Sequence, residues 1–132
     1  MAEPKKRRAR RGEPLPGPSA LVLRGDLLDP EEIAASAERN YEVYGFFGIS
    51  VFAEVGGTTF DEIAATKLAR ARWIAVFTAR DPIAAGLELW DTGQVAHYDV
   101  VHAELAEFVG RFVDTPHRIV RNEHYRSPDE GD

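Results

Sequence analysis

Four side chains in this sequence have the chemistry of a reaction centre: Arg24, Ser50, Glu88 and His97. A guanidinium presents its donors as a rigid fork and grips a phosphate or carboxylate through two parallel bonds. Arg24 follows the apolar run Leu21-Val22-Leu23, in Arg24-Gly25-Asp26, where a strand is expected to end. Ligands of open parallel sheets collect beyond the carboxyl ends of strands. The plainer alternative is a strand exit, with Gly25 making the turn and Arg24 paired to a nearby acid. His97, next to Tyr98 at a strand start, titrates near neutrality and suits proton exchange. Held in a buried hydrogen bond, the same ring is only structural.

Other polar groups are weaker candidates. His97 and His102 are five positions apart, so on one strand they face opposite sides and do not make a metal pair. A metal would need one of them to meet His117 or His124 and a carboxylate in space. Glu54 and Asp81 stand at expected strand ends, but no spacing marks them as a Mg²⁺ site. Gly56-Gly57-Thr58-Thr59 precedes a helix and offers N–H groups to an anion; without the lysine of a phosphate loop, a turn and a cap account for it. Asn122, His124 and Tyr125 form a polar cluster near the chain end. With no cysteine, disulfides, thiolate zinc sites and thiol catalysis are excluded. The reading assigns no metal.

Arg24 on a first strand, Ser50 on a second and Glu88 on a later one resemble the order of Arg, Ser and Glu in one branch of the ADP-ribosyltransferases. The resemblance implies NAD as cofactor, with Arg24 holding its phosphate or ribose. Ser50 would support the cofactor site and Glu88 would polarise a ribose hydroxyl. Two features depart from that family. Ser50 sits in Gly48-Ile49-Ser50-Val51-Phe52, not in a doubled Ser/Thr motif, and Glu88 lacks a second Glu or Gln upstream.

The net charge of −6 conceals a division. Lys5, Lys6, Arg7, Arg8, Arg10 and Arg11 place six of sixteen basic residues in the first twelve positions. From Glu13 onward ten basic residues face twenty-one acidic ones, a balance of −11. Such a body repels nucleic acid, while residues 5–11 would attach to phosphates weakly and without sequence preference. Lys67, Arg70 and Arg72 gather near the expected end of the second helix, where they suit its dipole.

These residues need elements to position them. Residues 1–19, basic and rich in proline, read as a disordered arm; 20–126 read as one globular domain; 127–132 read as a loose acidic tail. At 44% apolar residues the chain can bury one core but not two. Asp29-Pro30-Glu31-Glu32 signals a helix start, with Ile33, Ala37, Tyr41 and Tyr44 on one face and Gly45 as the stop. Ile49 to Val55 reads as a strand, and Thr59 with Glu62 caps a second helix bearing Phe60, Ile63, Ala64, Leu68 and Ala71. Trp73 to Thr78 is apolar enough for a strand covered on both faces. Leu87 to Trp90 and Ala96 to Val101 read as a hairpin, followed by a helix with Leu105, Phe108, Val109 and Phe112 and an edge strand at His117 to Val120. The alternation of strand and helix predicts an α/β or α+β domain with a mixed, mostly parallel sheet of about four to six strands and three helices.

Function is expected to follow the charge division. The first reading is a small intracellular interaction or regulatory protein whose acidic body binds a protein partner, as one member of a toxin–antitoxin-like or mobile-element pair. The second is a small ADP-ribosyltransferase-like or nuclease-like enzyme using Arg24, Ser50, Glu88 or His97. It would need these to converge on one pocket, and it alone calls for a cofactor, NAD. The third is a nucleic-acid accessory protein acting through the arm. The arm lacks the apolar middle of a secretory signal, which predicts a cytoplasmic protein; no apolar run approaches the ~20 residues of a membrane span. Abundant Ala, Arg and Val, with little Lys outside the arm, point to a GC-rich bacterial genome.

Overall fold

Capping residues set the helices where the sequence predicts them. In a computed structural model of the chain, which describes residues 19–55, 57–92, 94 and 96–126, Asp29 is extended and its Oδ2 accepts from Glu32 N–H at 3.0 Å. This begins α1 (Pro30–Tyr44), which stops at Gly45, left-handed at φ 86°, whose N–H donates to Tyr41 O at 2.8 Å. Thr59 Oγ1 accepts from Glu62 N–H at 3.2 Å and begins α2 (Phe60–Thr66). The remaining elements are β1 (Leu21–Gly25), β2 (Phe47–Ala53), β3 (Trp73–Thr78), α3 (Arg80–Ala84), β4 (Glu88–Asp91), β5 (His97–His102), α4 (Leu105–Val113) and β6 (Arg118–Arg121). The arm through residue 18 and the tail from 127 lie outside the described residues. Among the described residues, no helix is long and apolar enough to cross a membrane.

The strands form one six-stranded sheet in the order β4-β5-β2-β1-β3-β6, and all five pairings are antiparallel. The expected mixed, mostly parallel sheet with three helices is therefore corrected to an antiparallel sheet with four. The error has a physical source. The parallel expectation rests on the alternation of strand and helix with gaps long enough for a crossover. Gap length is the weak guide. It sets how far the chain travels between strands and leaves their direction open: β2 ends beside the start of β1, with Val22 opposite Ala53.

Alternation along each strand divides the core in two. Val22, Ile49, Val51, Ala75, Phe77, Tyr98 and Val100 pack on the first face with Ile33 and Ala37 of α1 and Phe108 and Phe112 of α4. Leu23, Ile74 and Val76 pack on the second face with Ile63 and Ala64 of α2 and with Leu68 and Ala71 beyond it. α3 has only five residues, too few for an apolar period. It forms because Asp81 Oδ2 accepts from both Thr78 N–H and Thr78 Oγ1, each at 2.9 Å. α2 is shorter than its apolar stripe, ending at Thr66, so Lys67 caps it and Arg70 and Arg72 follow it.

What closes the end of α2 comes from the far end of the chain. Asn122, 2% exposed, donates through Nδ2 to the carbonyls of Leu68 at 2.8 Å, Ala71 at 3.0 Å and Ala64 at 3.3 Å. Its Oδ1 accepts from His124 N–H at 2.9 Å. A polar cluster beside the tail is thus a buried peg joining β6 to the second-face core. Asn122→Ala is expected to lower unfolding free energy by about 2–3 kcal/mol, because it leaves buried carbonyls unsatisfied. Urea denaturation measures this, and a change under 0.5 kcal/mol would contradict the peg.

Candidate functional site

Arg24 fills a gap in the sheet. β1 and β2 pair at Val22–Ala53 and Leu23–Phe52, and beyond this no further register is kept. There Arg24 Nη1 donates to Ser50 O at 3.0 Å, and Nη2 lies 3.9 Å from Glu32 Oε1. Burial, the dominant effect, pushes the guanidinium below its ordinary value; Glu32 and Asp26 oppose this, and Arg39 adds to it. An arginine stays charged under such a shift. Arg24 lies on the first face, two residues from Val22, beneath α1. It lines a cleft of about 330 Å³ with Ser36, Arg39, Asn40 and Ser50 among its walls.

Ser50, Glu88 and His97 point the other way. Their strand neighbours Ile49, Val51, Leu89 and Tyr98 belong to the first-face core, so alternation sends these three side chains to the second face. The register then makes a polar row there: Ser50 is opposite Asp99, which is opposite Trp90, while Glu88 is opposite Val101 and Phe52 opposite His97. Arg24 meets Ser50 at its backbone carbonyl, and the sheet separates it from Glu88 and His97. His97 Nδ1 is 2.6 Å from Thr92 Oγ1, and its ring centroid lies 5.0 Å from that of Phe52, both inside the β4–β5 connection and its neighbour strand. Asp99 is the residue that sequence reasoning passed over. It is 0% exposed, and the signal was available: an acid in the middle of the apolar segment Tyr98-Asp99-Val100-Val101.

A second cleft, of about 340 Å³, opens at the Glu88 end of that row. Its walls are Tyr41 and Gly45 at the end of α1, Phe46 and Phe47, Glu88 and Trp90 of β4, and Val101, His102 and Ala103. The rings are arranged in pairs: Tyr41 stacks on Phe47 with centroids 4.5 Å apart, and Phe46 meets Trp90 at 4.8 Å. Trp90 Nε1 donates to Glu88 Oε1 at 2.8 Å, which fixes the carboxylate beside the indole. His102 Nδ1 accepts from Glu104 N–H at 3.0 Å, an acceptor role that leaves the ring proton on Nε2. Gly48 allows the ring of Phe46 to lie close, since a Cβ there would stand 3.2 Å from Phe46 Cε2 and 3.0 Å from Val100 O.

No family model, curated protein or solved structure matches the chain. What the site does must come from its own residues. The NAD implied by the resemblance would need Arg24, Ser50 and Glu88 around one pocket, whereas Arg24 lines one cleft and Glu88 the other. Among the described residues, no group of three or more His, Asp or Glu side chains is placed to hold a metal ion.

The surface around the second cleft is anionic. Glu42 follows Tyr41, Glu38 lies one helical turn before it, Glu104 follows Ala103, and all three are exposed, as is Glu88. A different apolar surface lies across the sheet, where Trp73 is 40% exposed and Ile119 38%. Arg121 of β6 stands opposite Trp73 on the same face, so the charge beside this patch is of the opposite sign. Gly48→Ala is expected to displace Phe46 and destabilise the fold by about 1–3 kcal/mol, with altered Trp90 emission in a Trp73→Phe background. Unchanged stability and emission would mean that the Phe46–Trp90 wall does not depend on the bare backbone at position 48.

Proposed function

We propose that this chain is a binding module that captures a basic segment of a partner protein. The arginine or lysine of that segment enters the cleft between the end of α1 and β4. The observation that carries the reading is the Glu88 carboxylate held by Trp90 Nε1 at 2.8 Å on a wall of paired aromatic rings. A cation on an aromatic face gains ~0.5–2 kcal/mol depending on desolvation, and a fixed carboxylate beside the ring adds charge-assisted hydrogen bonds. The acids around the cleft and the balance of −11 beyond residue 12 favour approach of a cationic partner and disfavour nucleic acid.

The pleat that separates Arg24 from Glu88 and His97 favours binding over the transferase or nuclease reading, which needed those groups in one pocket. A role as one half of a two-protein pair in the cytoplasm follows as part of this proposal, the other half supplying the cation. Any contribution of the arm lies outside the described residues.

Isothermal titration with a short peptide bearing one arginine between apolar residues tests the reading. Binding should weaken as salt rises, and Glu88→Gln should weaken it about fivefold or more while leaving an acceptor for Trp90. Equal affinity for the same peptide with glutamate in place of arginine would overturn it.

A further inference from the structure

The cleft on the first face has the opposite chemistry. In a body with a large acidic excess, two guanidiniums, those of Arg24 and Arg39, line one cavity of about 330 Å³. Among the described residues Arg24 makes one hydrogen bond, to Ser50 O at 3.0 Å, and one loose ion pair, to Glu32 at 3.9 Å. Five N–H donors on a side chain only 15% exposed are therefore poorly used. Arg39 donates to Ser36 Oγ at 3.1 Å and has no carboxylate partner among the described residues. Burial lowers Arg24 most; Glu32 and Asp26 oppose this, and repulsion from Arg39 adds a smaller effect in the same direction as burial. Like charges brought together around a polar cleft are relieved by an anion between them.

We propose that this cleft is a binding site for a small phosphomonoester, with the phosphate between Arg24 and Arg39 and the organic part against Val43, Tyr44 and Ile49. Two guanidiniums match a dianion better than a single-charged carboxylate does, and each can bond two phosphate oxygens in parallel. Ser36 Oγ supplies a hydroxyl beside Arg39. The volume falls at the lower end of the range for small-molecule sites, larger than a bare inorganic ion needs. The site is lined by different residues from the aromatic cleft, although both take walls from the end of α1, and it stands independently of the peptide-binding reading.

Glu32 is the built-in competitor. Its carboxylate is 47% exposed and holds Arg24 only loosely, so an incoming phosphate displaces it. Glu32→Gln keeps the backbone N–H that Asp29 caps and removes the competing charge.

The test titrates the full chain with phenyl phosphate, inorganic phosphate and sodium acetate at constant ionic strength, followed by amide NMR. Phenyl phosphate should bind at least tenfold more tightly than acetate, with inorganic phosphate between them, and should move the Ser36, Arg39 and Asn40 amides. Arg39→Gln, an exposed change that leaves the fold intact, should weaken phenyl phosphate at least tenfold. Glu32→Gln should strengthen it severalfold. Acetate binding as tightly as phenyl phosphate, unchanged affinity in Arg39→Gln, or shifts at residues elsewhere would each overturn the proposal. A serine-phosphorylated peptide binding more tightly than phenyl phosphate would also overturn it, by making the phosphate's source a protein side chain.

Discussion

Successive residues of an extended strand face opposite sides of a sheet, and the helices of this chain cover the two sides unequally. α1 and α4 cover the first-face core, which runs from β3 across to β4. α2 packs on the second face against Leu23, Ile74 and Val76, with Phe52 at its margin. The second face of β4, β5 and the start of β2 is therefore where polar and aromatic side chains gather: Glu88, Trp90, His97, Asp99, Ser50 and Phe46. The cleft where the row reaches the end of α1 follows from that asymmetry.

The same rule explains why two oppositely charged clefts lie close in sequence without cancelling. Arg24 and Leu23 are neighbours in the chain, yet one faces α1 and the other α2. The partial pairing of β1 with β2 lets the Arg24 guanidinium reach a backbone carbonyl that a longer ladder would have engaged. Arg24 and Arg39 thereby stand on one side of β2, and the exposed Glu88 carboxylate on the other. A low-dielectric sheet between them keeps the two local potentials distinct.

Much of the local structure was legible in the residues. Asp29 with Glu32, Thr59 with Glu62 and Gly45 each mark a helix end by a hydrogen bond that their side chain or backbone can make within four residues. Strand direction was not legible, because it depends on which strands pair. The apolar character of Leu21 to Leu23 and Trp73 to Thr78 reports coverage on two faces, not the sense of the neighbour. For the site, Arg24, Ser50, Glu88 and His97 were singled out by type, but their grouping needed the register: three share a face and the fourth does not. Asp99 and Asn122 were the opposite case. Their burial comes from segments far away in sequence, and a chain-end cluster such as Asn122, His124 and Tyr125 gives no sign that it plugs a helix end some fifty residues earlier.

Amide NMR of the labelled chain, titrated with an arginine-bearing peptide, tests the central claim most directly. The account predicts shifts concentrated at residues 46–48, 88–90 and 101–103, saturating together with one affinity. Shifts centred instead on Trp73, Ile119 and the β6 edge, or spread evenly over the acidic surface, would contradict it.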